Sequence, residues 1–307
     1  MDSTSNSPRA VILTALPVEC QAVRTHLLHL RNKPHSEGSV YWIGISHFES
    51  YAWDVMVAEI GQGNTSAALE TERAISYFKP HVTLFVGVAG GLKDVHIGDV
   101  VAAKKVYGYE SGKASSNFLP RPEVWNSTHR MQHWARVIVG TRDWIQRIKG
   151  PALEAKPEAY IGSIAAGEKV LNSMRSNIYT FLRKQYSDAL AVEMEGYGFL
   201  HAVHANQGVD ALVVRGISDL IAGKSEADSA NSQELASRHA SAFAFEILYK
   251  LGSDEHFMAS VARRNSERKA NRKRPAIKYS IRNSGQMAVG PQASMKVINN
   301  WPIPKEK

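Results

Sequence analysis

Short apolar runs recur along the chain, and several are apolar at consecutive positions rather than at every second one. AVILTAL (10–16), HVTLFVGVAGG (81–91) and DALVVRGISD (210–219) are the clearest. A strand that is apolar throughout has to be covered on both faces, so these runs demand a sheet buried between helices. The intervening segments supply the helices. PVECQAVRTHLLHL (17–30) opens with a proline in its first turn. NTSAALETERAISYF (64–78) places Asn64 as its cap and Ala68, Ile75 and Phe78 on one face. Further strands are expected at 39–46, 52–61, from 98, from 159 and over 189–195. Further helices are expected over 131–148, up to about Arg183, over 196–206 and over 232–251. The alternation predicts an α/β protein, a three-layer α/β/α sandwich around a mixed, twisted central sheet.

At 307 residues with 44% hydrophobic and 21% charged content, the chain has an ordinary globular composition. No apolar run approaches the roughly 20 residues that cross a bilayer, and the polar start MDSTSNSPRA has no signal-peptide core. A cytoplasmic protein with no membrane partner is expected. The single cysteine, Cys20, excludes an internal disulfide and a cysteine-based metal cluster, and its place in the first helix makes it a packing residue. The formal charge of +8 is local. Eight Lys or Arg against Glu267 fall between Ala262 and Lys278, so the rest of the chain is close to neutral. Four regions follow: a disordered start (1–8), a main domain (9–252), a basic arm (253–280) and a short strand-rich end (281–307). The arm reads as a solvated extension, with nucleic-acid or phosphate contact and partner docking as the alternatives.

In sheets of this kind ligands sit beyond the carboxyl ends of the strands. Those ends are 15–19, 61–64, 87–91, 166–171, 193–195 and 215–219, and they are rich in glycine and acid. Glu193 and Glu195 in ALAVEMEG stand two residues apart, on one face if the strand continues. Buried carboxylates need compensation. A strand-end salt bridge or helix N-terminal acids would supply it, and so would a polyhydroxyl ligand. Other patterns carry little chemistry. GQGNTS (61–66) lacks the third glycine of a dinucleotide fingerprint, and GYESGKA (108–114) lacks the Ser or Thr of a phosphate loop. His129 and His133, or His201 and His204, have helical metal-pair spacing but no accompanying glutamate, so no metal is assigned.

FVGVAGGL (85–92), VEMEG (192–196) and VRGISD (214–219) occur in that order, each at a strand end. With these motifs the chain resembles the purine nucleoside and uridine phosphorylase superfamily over about residues 10–250. Its nearest branch looks like the methylthioadenosine and S-adenosylhomocysteine nucleosidases. The resemblance implies the nucleoside phosphorylase-like fold, no cofactor, and cleavage of a purine (adenine foremost) nucleoside or nucleotide at its N-glycosidic bond. It implies that Glu195 binds the ribose hydroxyls, Met194 packs on the sugar, Asp219 protonates the purine and Glu19, in TALPVE, orients the attacking water. Gly63 and Gly90 would border the substrate, and Val170 and Leu171 of GEKVL would hold the base, Val170 standing where the branch has an aromatic. Phe85 and Val88 replace the arginine and serine that hold phosphate in the phosphorylases. Water is therefore favoured as nucleophile, with phosphorolysis and a catalytically silent nucleotide-binding module as alternatives.

The resemblance also implies a homodimer or larger homo-oligomer, because the loop after GDVV reaches a neighbouring subunit. Here that loop carries Lys104, Lys105, Tyr107 and Lys113, candidates for contacts to the 5′ end, where lysines fit a phosphate chain. ILTALPVE, VGVAGGLKDV and GKSEADS are similar to effector-type members of the superfamily that destroy nucleotides in bacterial antiphage defence. An activating protein partner would be consistent with such a role.

Overall fold

The computed structural model describes residues 7–116, 118–151, 156–221 and 226–273, without the side chains of 226–230 and 271–273. Most of the expected disordered start and the whole 281–307 segment lie outside the described residues. The strands are β1 (Arg9–Thr14), β2 (Leu28–Pro34), β3 (Val40–His47), β4 (Ala52–Glu59), β5 (Val82–Gly91) and β6 (Val100–Gly108). They continue with β7 (Gly112–Lys113), β8 (Leu119–Pro120), β9 (Glu123–Asn126), β10 (Ala159–Ala166), β11 (Ala189–Glu193) and β12 (Asp210–Leu220). The helices are α1 (Pro17–Arg24), α2 (Asn64–Phe78), α3 (His129–Thr141), α4 (Asn177–Gln185), α5 (Gly196–Ala205), α6 (Glu226–Gly252) and α7 (Glu255–Lys273). None of them is long and apolar enough to cross a membrane.

The central sheet is mixed, in the order β11-β10-β6-β12-β5-β1-β4-β3-β2. β1 runs parallel to β4 and β5, and β5 parallel to β12, whereas β12 meets β6 antiparallel. Val192 and Ala191 of β11 also pair with Gly90 and Gly91 of β5, so β5, β12, β6, β10 and β11 close on themselves. That closure brings β11, from the far end of the sheet order, to the carboxyl end of β5.

Two apolar clusters, one on each face, make the sandwich. Ala10 and Ile12 of β1 pack with Cys20 and Val23 of α1, Met131 and Ile138 of α3, and Phe243 and Leu248 of α6. Val11 and Leu13 pack with Ala67, Ile75 and Phe78 of α2 and with Phe199 and Val203 of α5. Adjacent strand residues thus serve opposite faces, which is why these runs are apolar at every position. By its contacts the chain divides after Val261. The described part of the second unit, 262–273, is helical and carries Arg263, Arg264, Arg268 and Lys269.

Four expectations are corrected. The first helix stops at Arg24, and Leu28–Pro34 is an edge strand paired with β3. His29 has φ +55°, which no helix accommodates; Leu27, Leu28 and Leu30 fit either periodicity. Asn64 is not the cap of α2: Gly63 is, at φ +104°, and Asn64 is the first helical residue with its side chain turned inward. Ala68 is only half-buried, the buried line running through Ala67, Thr71, Ala74, Ile75 and Phe78. The helix over 131–148 ends at Thr141 and continues as a 3₁₀ turn at Asp143–Arg147.

β12 crosses beneath α6 at Gly216, where a methyl group would stand 2.1 Å from the Ala236 carbonyl oxygen. Gly216→Ala is expected to push the helix off the strand and cost about 2–3 kcal/mol or more. A urea unfolding titration reads this as a lower midpoint.

Candidate active site

The closure of the sheet and the β1–α1 turn converge on one cavity of about 120 Å³. All six strand ends singled out in the sequence contribute to its wall, through Glu19, Gln62, Gly90, Leu171, Glu195 and Asp219 among others. A larger neighbouring cavity of about 380 Å³ lies between the first turns of α2 and α5 and the 108–111 and 166–168 segments. Chemistry, not size, distinguishes them, because the buried carboxylates gather on the smaller one.

Glu19 is in the first turn of α1, which Pro17 opens. Its Oε2 accepts from the backbone N–H groups of Ala15 (2.7 Å) and Leu16 (2.9 Å), and its Oε1 from that of Val88 (2.8 Å). The carboxylate is thereby immobilised at the junction of β1 and β5. Burial raises its pKa above the usual range, with Arg215 and these N–H groups opposing.

Arg215 projects from the middle of β12 and is fully buried. Its Nη2 donates to Glu193 and, at 3.1 Å, to Glu195 Oε2. Its guanidinium lies 4.5 Å from the centre of the Phe85 ring. Nη1 has no hydrogen-bond partner among the described residues. A methyl group on Gly87 would meet this Nη1 at 2.2 Å and Glu19 Oε1 at 2.5 Å, so Gly87 is what lets the two groups share one space. Burial works against the Arg215 charge, but Glu193, Glu195 and Glu19 outweigh it and hold its pKa above the usual range.

The paired glutamates divide their work. Glu193 ends β11 and accepts from the N–H groups of Glu195 (3.0 Å) and Gly196 (2.8 Å), which anchors a carboxylate at the N-terminus of α5. Glu195 lies beyond the strand, as the cap residue of α5. Its Oε1 accepts from Gly63 N–H at 3.1 Å. Burial pushes the Glu195 pKa up to about 7, against Arg215 and with Glu193 adding to the rise. Gly63 itself is not on the wall; it acts through that N–H.

Asp219 follows a register shift in β12 between Ile217 and Asp219. A bulge of this kind re-aims the side chain after it. Ser218 Oγ donates to Asp219 Oδ2 at 3.2 Å. Gly90 lines the opposite strand, and a methyl there would stand 3.3 Å from Asp219 Oδ1. Met194, Val170 and Leu171 complete the wall, Leu171 buried and Val170 64% exposed.

Phe85 is core, stacked edge-on with Phe199 and covering Arg215. Val88 offers the cavity an isopropyl group, its N–H being taken by Glu19. The four loop residues considered for the 5′ end do not line the cavity of their own chain. Asp188 accepts from Tyr107 Oη (3.1 Å) and Ser163 Oγ (2.7 Å) and pairs with Lys105 Nζ (3.1 Å). Lys104 and Lys113 are exposed. The basic residue that does line the cavity is Lys169, which pairs with Glu110. Arg215 is the residue sequence reasoning passed over. An arginine inside an otherwise apolar strand was the available signal, since it requires buried acids.

A doubly covered mixed sheet whose strand ends gather buried carboxylates on one cavity defines an α/β class with a site at the carboxyl ends of its strands. The chain belongs to the phosphorylase superfamily, whose family model matches residues 9–251. Among curated proteins it is 30% identical over 245 residues to the ATP nucleosidase Cap17 of Escherichia coli (strain KTE188), a match covering 73% of this chain and 48% of that protein. The chain thus spans about half the length of that relative. It is 25% identical over 199 residues to the 5′-methylthioadenosine/S-adenosylhomocysteine nucleosidase of Staphylococcus aureus (strain JH9), covering 60% of this chain and 78% of that one. Among solved structures, the Helicobacter pylori 5′-methylthioadenosine/S-adenosylhomocysteine nucleosidase superposes with a TM-score of 0.65 at 21% identity, over 80% of this chain and all of the other. The H. pylori futalosine hydrolase gives 0.64 at 20%, over 79% and 98%.

Because the folded-state pKa of Glu195 is raised above its ordinary value, the stability linked to its proton is complete at low pH. It is lost as pH rises from about 4.5 to about 7. The melting temperature of the ligand-free protein is expected to fall across that window, and Glu195→Gln to flatten the dependence. A thermal-shift series at constant ionic strength checks both.

Proposed function

We propose that this protein hydrolyses the N-glycosidic bond of a purine nucleoside or nucleotide and releases the free base. The observation that carries the reading is the placement of Glu19, Glu195 and Asp219 on one cavity, with Arg215 beneath the first two. The similarity to an ATP nucleosidase and to methylthioadenosine/S-adenosylhomocysteine nucleosidases supports the same chemistry.

In this mechanism the 2′ and 3′ hydroxyls donate to Glu195, whose other contacts, Gly63 N–H and Arg215, fix its orientation. Met194 packs on the sugar, and Val170 and Leu171 border the base. The C1′–N9 bond breaks with its electron pair moving into the purine, and Asp219 delivers a proton to N7 so that a neutral base leaves. The sugar then carries an oxocarbenium-like positive charge, which the ionised carboxylates favour. The attacking water sits against Glu19 on the cavity wall. Its oxygen bonds to C1′ while Glu19 takes a proton. The products are free base and a sugar with an anomeric hydroxyl.

Hydrolysis is preferred to phosphorolysis because Phe85 and Val88 place no cationic or hydroxyl side chain where a phosphate nucleophile would need one. Adenine nucleotides, ATP included, are the proposed substrates, on the strength of the ATP nucleosidase relative. A role for Lys104, Lys105, Tyr107 and Lys113 at the 5′ end requires a second copy of the chain, since none reaches the cavity of its own. A homo-oligomer is part of the proposal for that reason. Depletion of a nucleotide pool in defence would follow from this activity.

The test is chromatographic. Adenosine, AMP, ATP, methylthioadenosine and S-adenosylhomocysteine are each incubated with the protein, with and without phosphate. Base release independent of phosphate is expected, with a reducing sugar as co-product. Asp219→Asn is expected to slow release by about 10²–10⁴-fold. Glu19→Gln is expected to lose activity by a similar factor. Sugar 1-phosphate as product, or an Asp219→Asn protein at full rate, overturns the mechanism.

A further inference from the structure

The GQGNTS segment is not a dinucleotide loop, yet Asn64 within it, on the wall of the neighbouring cavity, is a buried side chain with three hydrogen bonds to other segments. Its Oδ1 accepts from Gly198 N–H at 3.0 Å, in the first turn of α5. Its Nδ2 donates to Glu168 Oε1 at 3.0 Å and to the Gly167 carbonyl at 3.4 Å. Its backbone N–H adds a bond to the same Glu168 oxygen at 3.2 Å. An N–H on one side and a carbonyl on the other leave the amide one orientation, so the assignment of its oxygen and nitrogen is fixed by its partners.

Three segments of the site meet at this one amide. Gly63, the residue before it, donates its N–H to Glu195. Gly167, bonded to it, donates its own N–H to the Glu193 carbonyl and opens the segment that carries Val170 and Leu171. Gly198 stands three residues after Glu195, and a methyl there would lie 1.9 Å from the Asn64 carbonyl oxygen. Glu168 is also packed on Gly63, where a methyl would stand 3.0 Å from its Oε2.

We propose that Asn64 is a positioning residue that couples the two halves of the cavity, fixing the Gly63 N–H on the ribose-side carboxylate and the 167–171 segment on the base side through one buried amide. It touches neither ribose nor base. The inference rests on the functional reading given above for what each half binds. Its consequence is that occupancy of one half stiffens the other, because moving either segment breaks bonds to the same side chain.

The test compares Asn64→Asp, Asn64→Asp with Glu168→Gln, and Glu168→Ala. Asn64→Asp keeps the shape and the acceptor for Gly198 but sets a carboxylate oxygen against Glu168 and the Gly167 carbonyl. Leaving such groups opposed corresponds to roughly a tenfold effect. That loss is expected in KM for the nucleotide and in the dissociation constant for free adenine measured by calorimetry, with kcat changing less. The defect should deepen as pH rises through ionisation of the new carboxyl. Glu168→Gln in the same chain returns a donor and should recover part of it. Glu168→Ala, at an exposed position, should fold normally and weaken adenine about threefold. Hydrogen exchange of the ligand-free proteins should speed up at both 61–64 and 167–171.

Adenine affinity unchanged in both Asn64→Asp and Glu168→Ala overturns the proposal, as does faster exchange confined to 61–64. A wild-type protein that releases no base overturns the functional reading instead, while exchange at the two segments still decides the coupling. If Asn64→Asp does not fold, Glu168→Ala tests the same bridge from its other end, and unchanged adenine affinity in that variant alone overturns the proposal.

Discussion

One buried guanidinium holds the site together. Arg215 stands among Glu19, Glu193 and Glu195, none of them open to solvent. Three carboxylates at this spacing repel one another in a medium that screens poorly, and no arrangement of backbone N–H groups would hold all three ionised. Arg215 provides opposite charge at the centre of the cluster, and the surrounding sequence accommodates it. Gly87 gives up its side chain so that Nη1 and Glu19 fit together, and Phe85 presents a ring face to the cation. Phe85 and Gly87 therefore serve the charge cluster, and substituting either would reach the cavity without touching a ligand.

The sheet closure is the second constraint. In an open sheet with this strand order, β11 and β5 would lie at a distance from each other. Their antiparallel pairing at Gly90 and Gly91 brings the glutamates at and just beyond the end of β11 next to the glycines that end β5. The glycines suit a ladder that turns sharply and also leave room for Asp219. Closure of the sheet and creation of the cavity are thus the same event. Strand ends far apart in sequence become neighbours only once the ring is complete.

Much of this was legible in the sequence, for physical reasons that differ by residue. The doubly covered strands announced themselves through consecutive apolar residues, since each of β1 and β5 serves two cores. The six strand ends were identifiable because glycine and acid interrupt apolar runs only where burial ends or a function begins. Glu195 and Asp219 stood in motifs with family precedent. What stayed hidden were features that depend on long-range pairing. Leu28–Pro34 had helix-compatible spacing, and only the ladder to β3 makes it a strand. Asn64 looked like a cap because asparagine is good at that work; tertiary partners at Gly198 and Gly167 claimed its side chain instead. Of the answers offered for the Glu193–Glu195 pair, the salt bridge and the helix-terminal acid are both present: Glu193 anchors α5 and both carboxylates pair with Arg215, while the polyhydroxyl ligand belongs to the proposed function. No local pattern separates them, because Arg215 holds both and the difference lies in their other partners, the Glu195 and Gly196 N–H groups for Glu193 and the distant Gly63 N–H for Glu195.

Under the proposed function, the cluster would let one pocket bind a neutral sugar and then favour a cationic one. In the free protein the Glu195 proton relieves the repulsion among the three acids, which is why burial and Glu193 hold its pKa near neutrality. Ribose hydroxyls arriving as donors replace that relief with hydrogen bonds, and these are strongest to an ionised acceptor. Binding therefore draws Glu195 toward its charged form before the bond breaks. The negative charge is then already in place when positive charge develops on the sugar, and no group has to reorganise at that moment. Arg215 keeps Glu195 from becoming too basic to ionise, and Glu193 keeps it from becoming too acidic to hold a proton. Replacing Arg215 or Glu193 would therefore shift this balance in opposite directions.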